Sequence, residues 1–203
     1  MHTGGDSRKP RFHAGPESQA AANVLDRQFD VTAPDTVWAC DFTGIRTHEG
    51  WMYLAVVIDL FSRQVIGWAM RERADAGVVV QALLSAVWRR KPKPDVLVHS
   101  DQGSVYTRDD SRKFLSAHGL VCSMSWRGNC HDNAPAESFF SLLKRERIRR
   151  RIYLTKDAAR ADVFDYIEMF HNPKRRHSST SGLFPADFER RYAQKGPDCL
   201  RNL

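Results

Sequence analysis

The stretch Val37–Met70, VWACDFTGIRTHEGWMYLAVVIDLFSRQVIGWAM, carries three β-rich runs in close succession. Val37–Ile45 and Trp51–Ile58 are joined by Thr47-His48-Glu49-Gly50, a hairpin signal. Val65–Met70 follows the turn Phe61-Ser62-Arg63 and completes a three-strand meander. Beyond it the period changes. Val78, Val79, Ala82, Leu83, Ala86 and Val87 recur at three and four residues, which predicts a helix over Asp75–Arg90. Pro92 and Pro94 stop it, and Asp95–Ser100 then reads as a buried parallel strand, because its apolar run is nearly continuous. A helix over Arg108–His118 ends at Gly119, Leu120–Met124 is a fifth strand, and Arg127–His131 is a loop. A long basic helix is expected from Asn133 to Arg150, with Pro135 tolerated in its first turn. Thr155 can cap a further helix through Phe170, which Asn172-Pro173 ends. Residues 1–35 hold Gly4, Gly5, Pro10, Gly15, Pro16 and Pro34 without periodicity, so they read as a flexible tail or linker, with order beginning at Thr36. The expected fold is α/β, one five-stranded mixed sheet flanked by helices, with a basic helical C-terminal extension.

The charge is unevenly spread. Of 203 residues, 31 are basic and 24 acidic, a net charge of +7. Residues 138–203 hold 15 basic and 8 acidic side chains, so the last third carries the whole excess and the rest is neutral. A polyanion partner for that third and a merely solubilising surface both fit this split. The longest strongly apolar stretch, Trp51–Leu60, contains Asp59 and is too short to span a membrane. Met1–Gln19 is Gly, Pro and charge, unlike a signal peptide. Cys40, Cys122, Cys130 and Cys199 form no CxxC pair, so reduced, cytosolic thiols are expected. A zinc site from Cys122, Cys130 and His131 would lack the four closely paired ligands that structural zinc takes.

Three carboxylates stand out. Asp41 lies inside a β run, where an acidic side chain is costly to bury. Asp101 follows the buried strand at its C-terminal end, the edge where open α/β sheets bind ligands. Glu137 lies in the first turns of the basic helix, with Lys144 two turns along the same face and Asn133 and Ser141 four residues either side. If they converge, an oxygen-only ligand set suits Mg²⁺ or Mn²⁺, and a two-ion site would serve phosphodiester chemistry. Asp59, Asp109, Asp110 and Asp132 are rival candidates on spacing alone.

The local contexts go further. Val37-Trp38-Ala39-Cys40-Asp41-Phe42-Thr43, Val98-His99-Ser100-Asp101-Gln102-Gly103-Ser104 and Asn133-Ala134-Pro135-Ala136-Glu137-Ser138-Phe139-Phe140 resemble three acidic motifs of one family. It is the bacterial insertion-sequence transposases with a retroviral-integrase-type DDE catalytic core. Thirty-five residues separate Asp101 from Glu137, the interval of that family's D,D(35)E signature. Ala55–Arg63 with Gly67-Trp68, Arg127–Asn133, Phe170–Ser178 and Pro185–Glu189 also look like its motifs, so the resemblance spans about residues 22–190.

The resemblance implies a ribonuclease H-like catalytic core over 36–151 and the helical extension over 152–203. It implies that Asp41, Asp101 and Glu137 are catalytic and hold two Mg²⁺ or Mn²⁺ ions. The chemistry implied is hydrolysis at the element's DNA end, then attack of the freed 3′-hydroxyl on another phosphodiester. Lys144 would meet terminal DNA, joined by Arg145, Asn133, Lys174, Arg175 and His177. Trp51, Trp68 and Trp126 could stack on bases, although core packing suits Trp68 and Trp51 better, and His99 and His131 read as structural or DNA-proximal. The implied partners are DNA, further copies of the chain, and a first-reading-frame protein supplying helix-turn-helix DNA binding, all in the bacterial cytoplasm. Met1–Ala20 does not resemble that helix-turn-helix. Gly44 stands where a larger residue is usual, and His171 where tyrosine is usual. A non-transposing fragment that binds ends and inhibits, or a ribonuclease H-like nuclease of another kind, are the alternatives to a working transposase.

Overall fold

The computed structural model describes residues 21–101, 109–125 and 133–196. Five strands form one mixed sheet in the order β3-β2-β1-β4-β5. β1 (Val37–Thr47) and β2 (Gly50–Asp59) pair antiparallel from Trp38↔Asp59 to Thr47↔Gly50. β3 (Val65–Arg71) continues the meander, while β4 (Leu97–Ser100) and β5 (Val121–Met124) run parallel to β1. This is the expected sheet. Gly50 turns the hairpin at φ +116°, which a side chain would resist, and β1 runs two residues past the expected Ile45.

Both faces of the sheet are covered, which is why β2 reads as a continuous apolar run. Trp38, Cys40, Ala55, Val57 and Ile66 face α1 (Ala76–Arg90), which buries Val78, Val79, Ala82, Leu83 and Ala86 against them. The approach is tight at Gly67, where a Cβ would stand 2.4 Å from the Ala82 carbonyl oxygen. On the other face, Ala39, Ile45, Leu54, Val56 and Ile58 pack against Ala136, Phe139, Phe140 and Leu143 of α3 (Ala134–Glu146). α2 (Asp109–Ala117) leads into β5.

Three expectations need correction. Residues 21–35 contain no helix or strand, yet they are not loose. Leu25 is buried, Phe29 and Val31 pack against the core, and the Val24 and Leu25 N–H groups donate to Ser123 Oγ at 3.0 and 3.2 Å. Order therefore begins before Thr36, because long-range contacts substitute for secondary structure. The basic helix ends at Glu146, and Ile148–Arg150 forms a short 3₁₀ turn. The helix capped by Thr155, whose hydroxyl accepts from the Ala158 N–H, is α-helical only as α4 (Lys156–Phe164). It widens to a π-helix over Asp165–His171, with the Asn172 N–H reaching the Ile167 carbonyl, and runs on as α5 (Asn172–Lys174). Asn172-Pro173 thus continues the helix rather than ending it. The expected loop Arg127–His131 and residues 1–20 lie outside the described residues.

Candidate active site

The parallel ladder between β1 and β4 closes at Cys40↔Ser100, so Asp41 and Asp101 are the next residue on each of two adjacent strands. Asp41 sits two positions beyond Ala39 on the same face, the face covered by α3. Glu137 stands exposed in the first turn of α3, and Lys144 lies half-buried two turns on.

Electrostatics show that these four groups are neighbours. The Asp41 carboxyl is pushed from 3.8 up to about 7, first by burial and then by the charge of Asp101. Glu137 raises it further, while a hydrogen bond from the Phe42 N–H at 2.7 Å and the charge of Lys144 oppose the rise. Among the described residues no three His, Cys, Asp or Glu side chains stand close enough to grip an ion as they are. The donor set nevertheless fits a hard divalent cation. Asp41, Asp101 and Glu137 could offer only carboxylate oxygens, and their mutual repulsion is what such an ion would relieve.

The rival carboxylates separate by environment. Asp59 is fully buried, accepts from the Asp35 and Phe61 N–H groups, and pairs with Arg90 at 3.2 Å. Arg90 also binds Asp35 and Glu189, so Asp59 belongs to a structural knot that ties the end of α1 to α6 (Pro185–Lys195). Sequence reasoning missed this knot, whose members are scattered along the chain. Asp110 is exposed on α2, while Asp132 lies outside the described residues.

The residues proposed to touch DNA divide. Arg145 and Lys174 are exposed. Arg175 is not free to meet a phosphate, since its Nη1 bonds both Glu146 oxygens at 2.8 and 2.6 Å. His177 is half-buried and neutral, its ring pushed down to about 4 by burial and by Arg175 and Arg63. Asn133 is buried, its amide donating to the Cys40 carbonyl at 3.3 Å. Arg175 and Asn133 are thus engaged within the chain, while the buried His177 Nε2 has no hydrogen-bond partner among the described residues.

The same holds around them. Asn172 bonds both the N–H and the carbonyl of Val65, at 3.0 and 2.9 Å, and so pairs with edge strand β3 as another strand would. His171 is buried edge-on to Phe139 and bonded to the Arg63 carbonyl. His99 is buried between the Ser123 and Ser125 hydroxyls, a structural histidine. Trp68 packs against the core and donates to Glu168 at 3.0 Å. Trp51, half-buried, stacks on Tyr53 and fills the space over Gly44, where a Cβ would meet its ring at 3.2 Å. Gly44 is thus small because Trp51 is large. Trp126 and His131 lie outside the described residues.

Two family models, each described as an integrase core domain, match residues 31–130 and 137–192. The chain is 47% identical over 179 residues to transposase InsF for insertion sequence IS3A of Escherichia coli strain K12, covering 88% of this chain and 61% of that protein. It is 42% identical over 173 residues to the transposase for insertion sequence element IS904 of Lactococcus lactis, covering 85% of this chain and 68% of that protein. The chain therefore spans about 61% of the length of the InsF relatives it matches. Among solved structures, the simian T-cell lymphotropic virus intasome aligns with a TM-score of 0.65 at 15% identity, over 86% of this chain and 60% of that one. The HTLV-2 integrase catalytic core domain in complex with magnesium aligns with a TM-score of 0.58 at 15% identity, over 77% of this chain and 97% of that one. The ribonuclease H-like architecture, shared with retroviral integrase cores, and the two sequence matches lead to one conclusion: the chain belongs to the insertion-sequence transposases with an integrase core domain.

Proposed function

We propose that this chain is the catalytic part of a DDE transposase that cuts the DNA ends of its insertion sequence and joins them to a target. The reading is carried by the raised Asp41 carboxyl, which feels Asp101, Glu137 and Lys144 together. Asp41, Asp101 and Glu137 would hold two Mg²⁺ or Mn²⁺ ions. When bound, these supply a Lewis acid for the attacking oxygen and a counter-charge for the leaving one. Asp41, inside β1, and Asp101, just past the end of the adjacent β4, would fix their carboxylates side by side, and Glu137 would close the site from α3. Lys144 offers its ammonium to a phosphate oxygen, with Arg145 and Lys174 extending the contact to DNA.

In the first step a water oxygen bonds to phosphorus at the element's end. The bond from phosphorus to the element's 3′ oxygen breaks, and that oxygen leaves as a 3′-hydroxyl. In the second, the 3′-hydroxyl gives up its proton, its oxygen bonds to a target phosphorus, and the target's own 3′ oxygen leaves. No covalent enzyme–DNA intermediate is needed. The division of labour we propose is a catalytic core over 36–151 and a helical extension over 152–203. The partners are terminal-repeat and target DNA, further copies of the chain, and a first-reading-frame protein supplying helix-turn-helix recognition. The place of work that follows from a DNA substrate in a bacterium is the cytoplasm, on the nucleoid. No helix of the described residues is long and apolar enough to cross a membrane.

The test offers purified protein a labelled duplex bearing the element's terminal repeat, with Mg²⁺ or Mn²⁺. Cleavage and joining by the wild type, both lost in Asp101→Asn, are expected. Metal-independent binding with no products would overturn the proposal in favour of an inhibitory, end-binding fragment.

A further inference from the structure

We propose that Asn133 is a positioning residue that holds the helix carrying Glu137 in register with the strand carrying Asp41, an inference that rests on the metal-site reading above. Asn133 occupies the N-cap of α3, four residues before Glu137. Asparagine at an N-cap ordinarily accepts from a backbone N–H of the first turn. Here it makes no such cap bond. Its amide crosses instead to β1 and donates to the carbonyl of Cys40, the residue immediately before Asp41, at 3.3 Å. The side chain is buried at 4% exposure, and its Oδ1 has no hydrogen-bond partner among the described residues.

That arrangement is a poor one for stability alone. A buried amide acceptor without a partner costs free energy, and the helix forgoes a stabilising cap. A serine at this position could cap α3 and bury no amide. What asparagine supplies and serine does not is a donor long enough to reach the strand. The bond links the two elements that bear Asp41 and Glu137 at the end where those carboxylates lie. Two groups that must share ions need their separation fixed to a fraction of an ångström. A backbone carbonyl is a suitable anchor, because in β1 it cannot rotate away as a side chain would.

The experiment compares this chain as wild type, Asn133→Ser and Asn133→Ala by Mn²⁺ titration, read by electron paramagnetic resonance without DNA, and by thermal melting with and without Mg²⁺. Both variants are expected to melt cooperatively, Asn133→Ser close to wild type. Both are expected to bind Mn²⁺ about 10-fold more weakly, the size of effect seen when a partner that orients ligands is removed. The Mg²⁺-induced rise in melting temperature shrinks in parallel. Wild-type Mn²⁺ affinity in a folded Asn133→Ser variant overturns the role of Asn133 and leaves the metal site standing. Loss of a cooperative melt in Asn133→Ser marks an ordinary fold residue and likewise overturns it. A wild-type protein that binds no Mn²⁺ overturns the metal-site reading and this inference with it.

Discussion

Asp41 is a carboxylate held where it does not ionise readily, and its stability cost has a definite sign. Its folded value of about 7 lies above the 3.8 of the unfolded chain. The stabilising contribution of the protonated group is therefore complete below pH 4 and is lost as pH rises through about 7. An asparagine at this position would imitate the protonated form at every pH. Asp41→Asn should thus be more stable than wild type at pH 8 without divalent ions, by about 1–2 kcal/mol once partial solvent screening is allowed for. The gap should close toward pH 4, and also when millimolar Mg²⁺ is added to the wild type at pH 8. Urea unfolding at the two pH values measures it, and a gap independent of both pH and Mg²⁺ would remove the electrostatic account. Asp41 and Asp101 stood out as candidates in the sequence, because a carboxylate in a strand interior or at a strand's end is locally anomalous, whereas Glu137 was singled out by its 35-residue interval from Asp101. The burial of Asn133 and the pairing of Arg175 with Glu146 were not legible there, since nothing local says whether a polar side chain points to solvent or into a neighbour.

At the level of elements, the position of Glu137 depends on both ends of α3. Asn133 ties its start to β1, while Glu146 at its end accepts from Arg175 and from the Tyr166 hydroxyl at 3.1 Å. The segment Phe170–Ser178, so recognisable in sequence, is in large part the clamp for this helix. Asn172 grips β3, Arg175 grips α3, and the π-helix lets Tyr166 and His171 both reach Phe139. Periodicity of three and four located α1, which buries one stripe, while Pro135 and the Thr155 cap marked the starts of α3 and α4. It could not show the π-helix, whose one-residue widening is decided by what its side chains meet. Nor could it show the docking of Leu25, which depends on Ser123 almost a hundred residues away. The tight approach of α1 to Gly67 offers a sharp test. Gly67→Ala puts a methyl 2.4 Å from the Ala82 carbonyl oxygen and 2.6 Å from the Ala86 nitrogen, backbone atoms that cannot step aside singly. A loss of about 3 kcal/mol or more in chemical denaturation is expected. A loss below about 1 kcal/mol would mean that α1 rides on the sheet more loosely than this close approach implies.

Across the whole molecule, the +7 charge that the last third carries is partly neutralised internally. Arg147 and Arg151 pair with Asp162, Lys156 with Glu72, and Arg175 with Glu146. Arg149, Lys174 and Arg176 are exposed. If the basic surface meets DNA, replacing Lys174 and Arg176 with alanine should weaken binding at low salt. It should also flatten the slope of log K against log salt by about one for each phosphate no longer neutralised. Arg175→Gln should lower the unfolding midpoint and leave the salt slope of the folded protein unchanged. Fluorescence anisotropy over a salt series distinguishes the two, and equal slopes in all three proteins would end the case for a DNA track through Lys174 and Arg176. The order of the strands and main helices could be read along the chain alone, and the three candidate carboxylates were picked out there by the resemblance of their motifs. Strand alternation, helical stripes and an acid in a β run are local facts, written in neighbouring residues. Folding in three dimensions settled the rest: which charges face solvent, which polar groups became joints between elements, and that Asp41, Asp101, Glu137 and Lys144 share one electrostatic neighbourhood. Those outcomes depend on distances between residues far apart in the chain, which packing sets and composition does not.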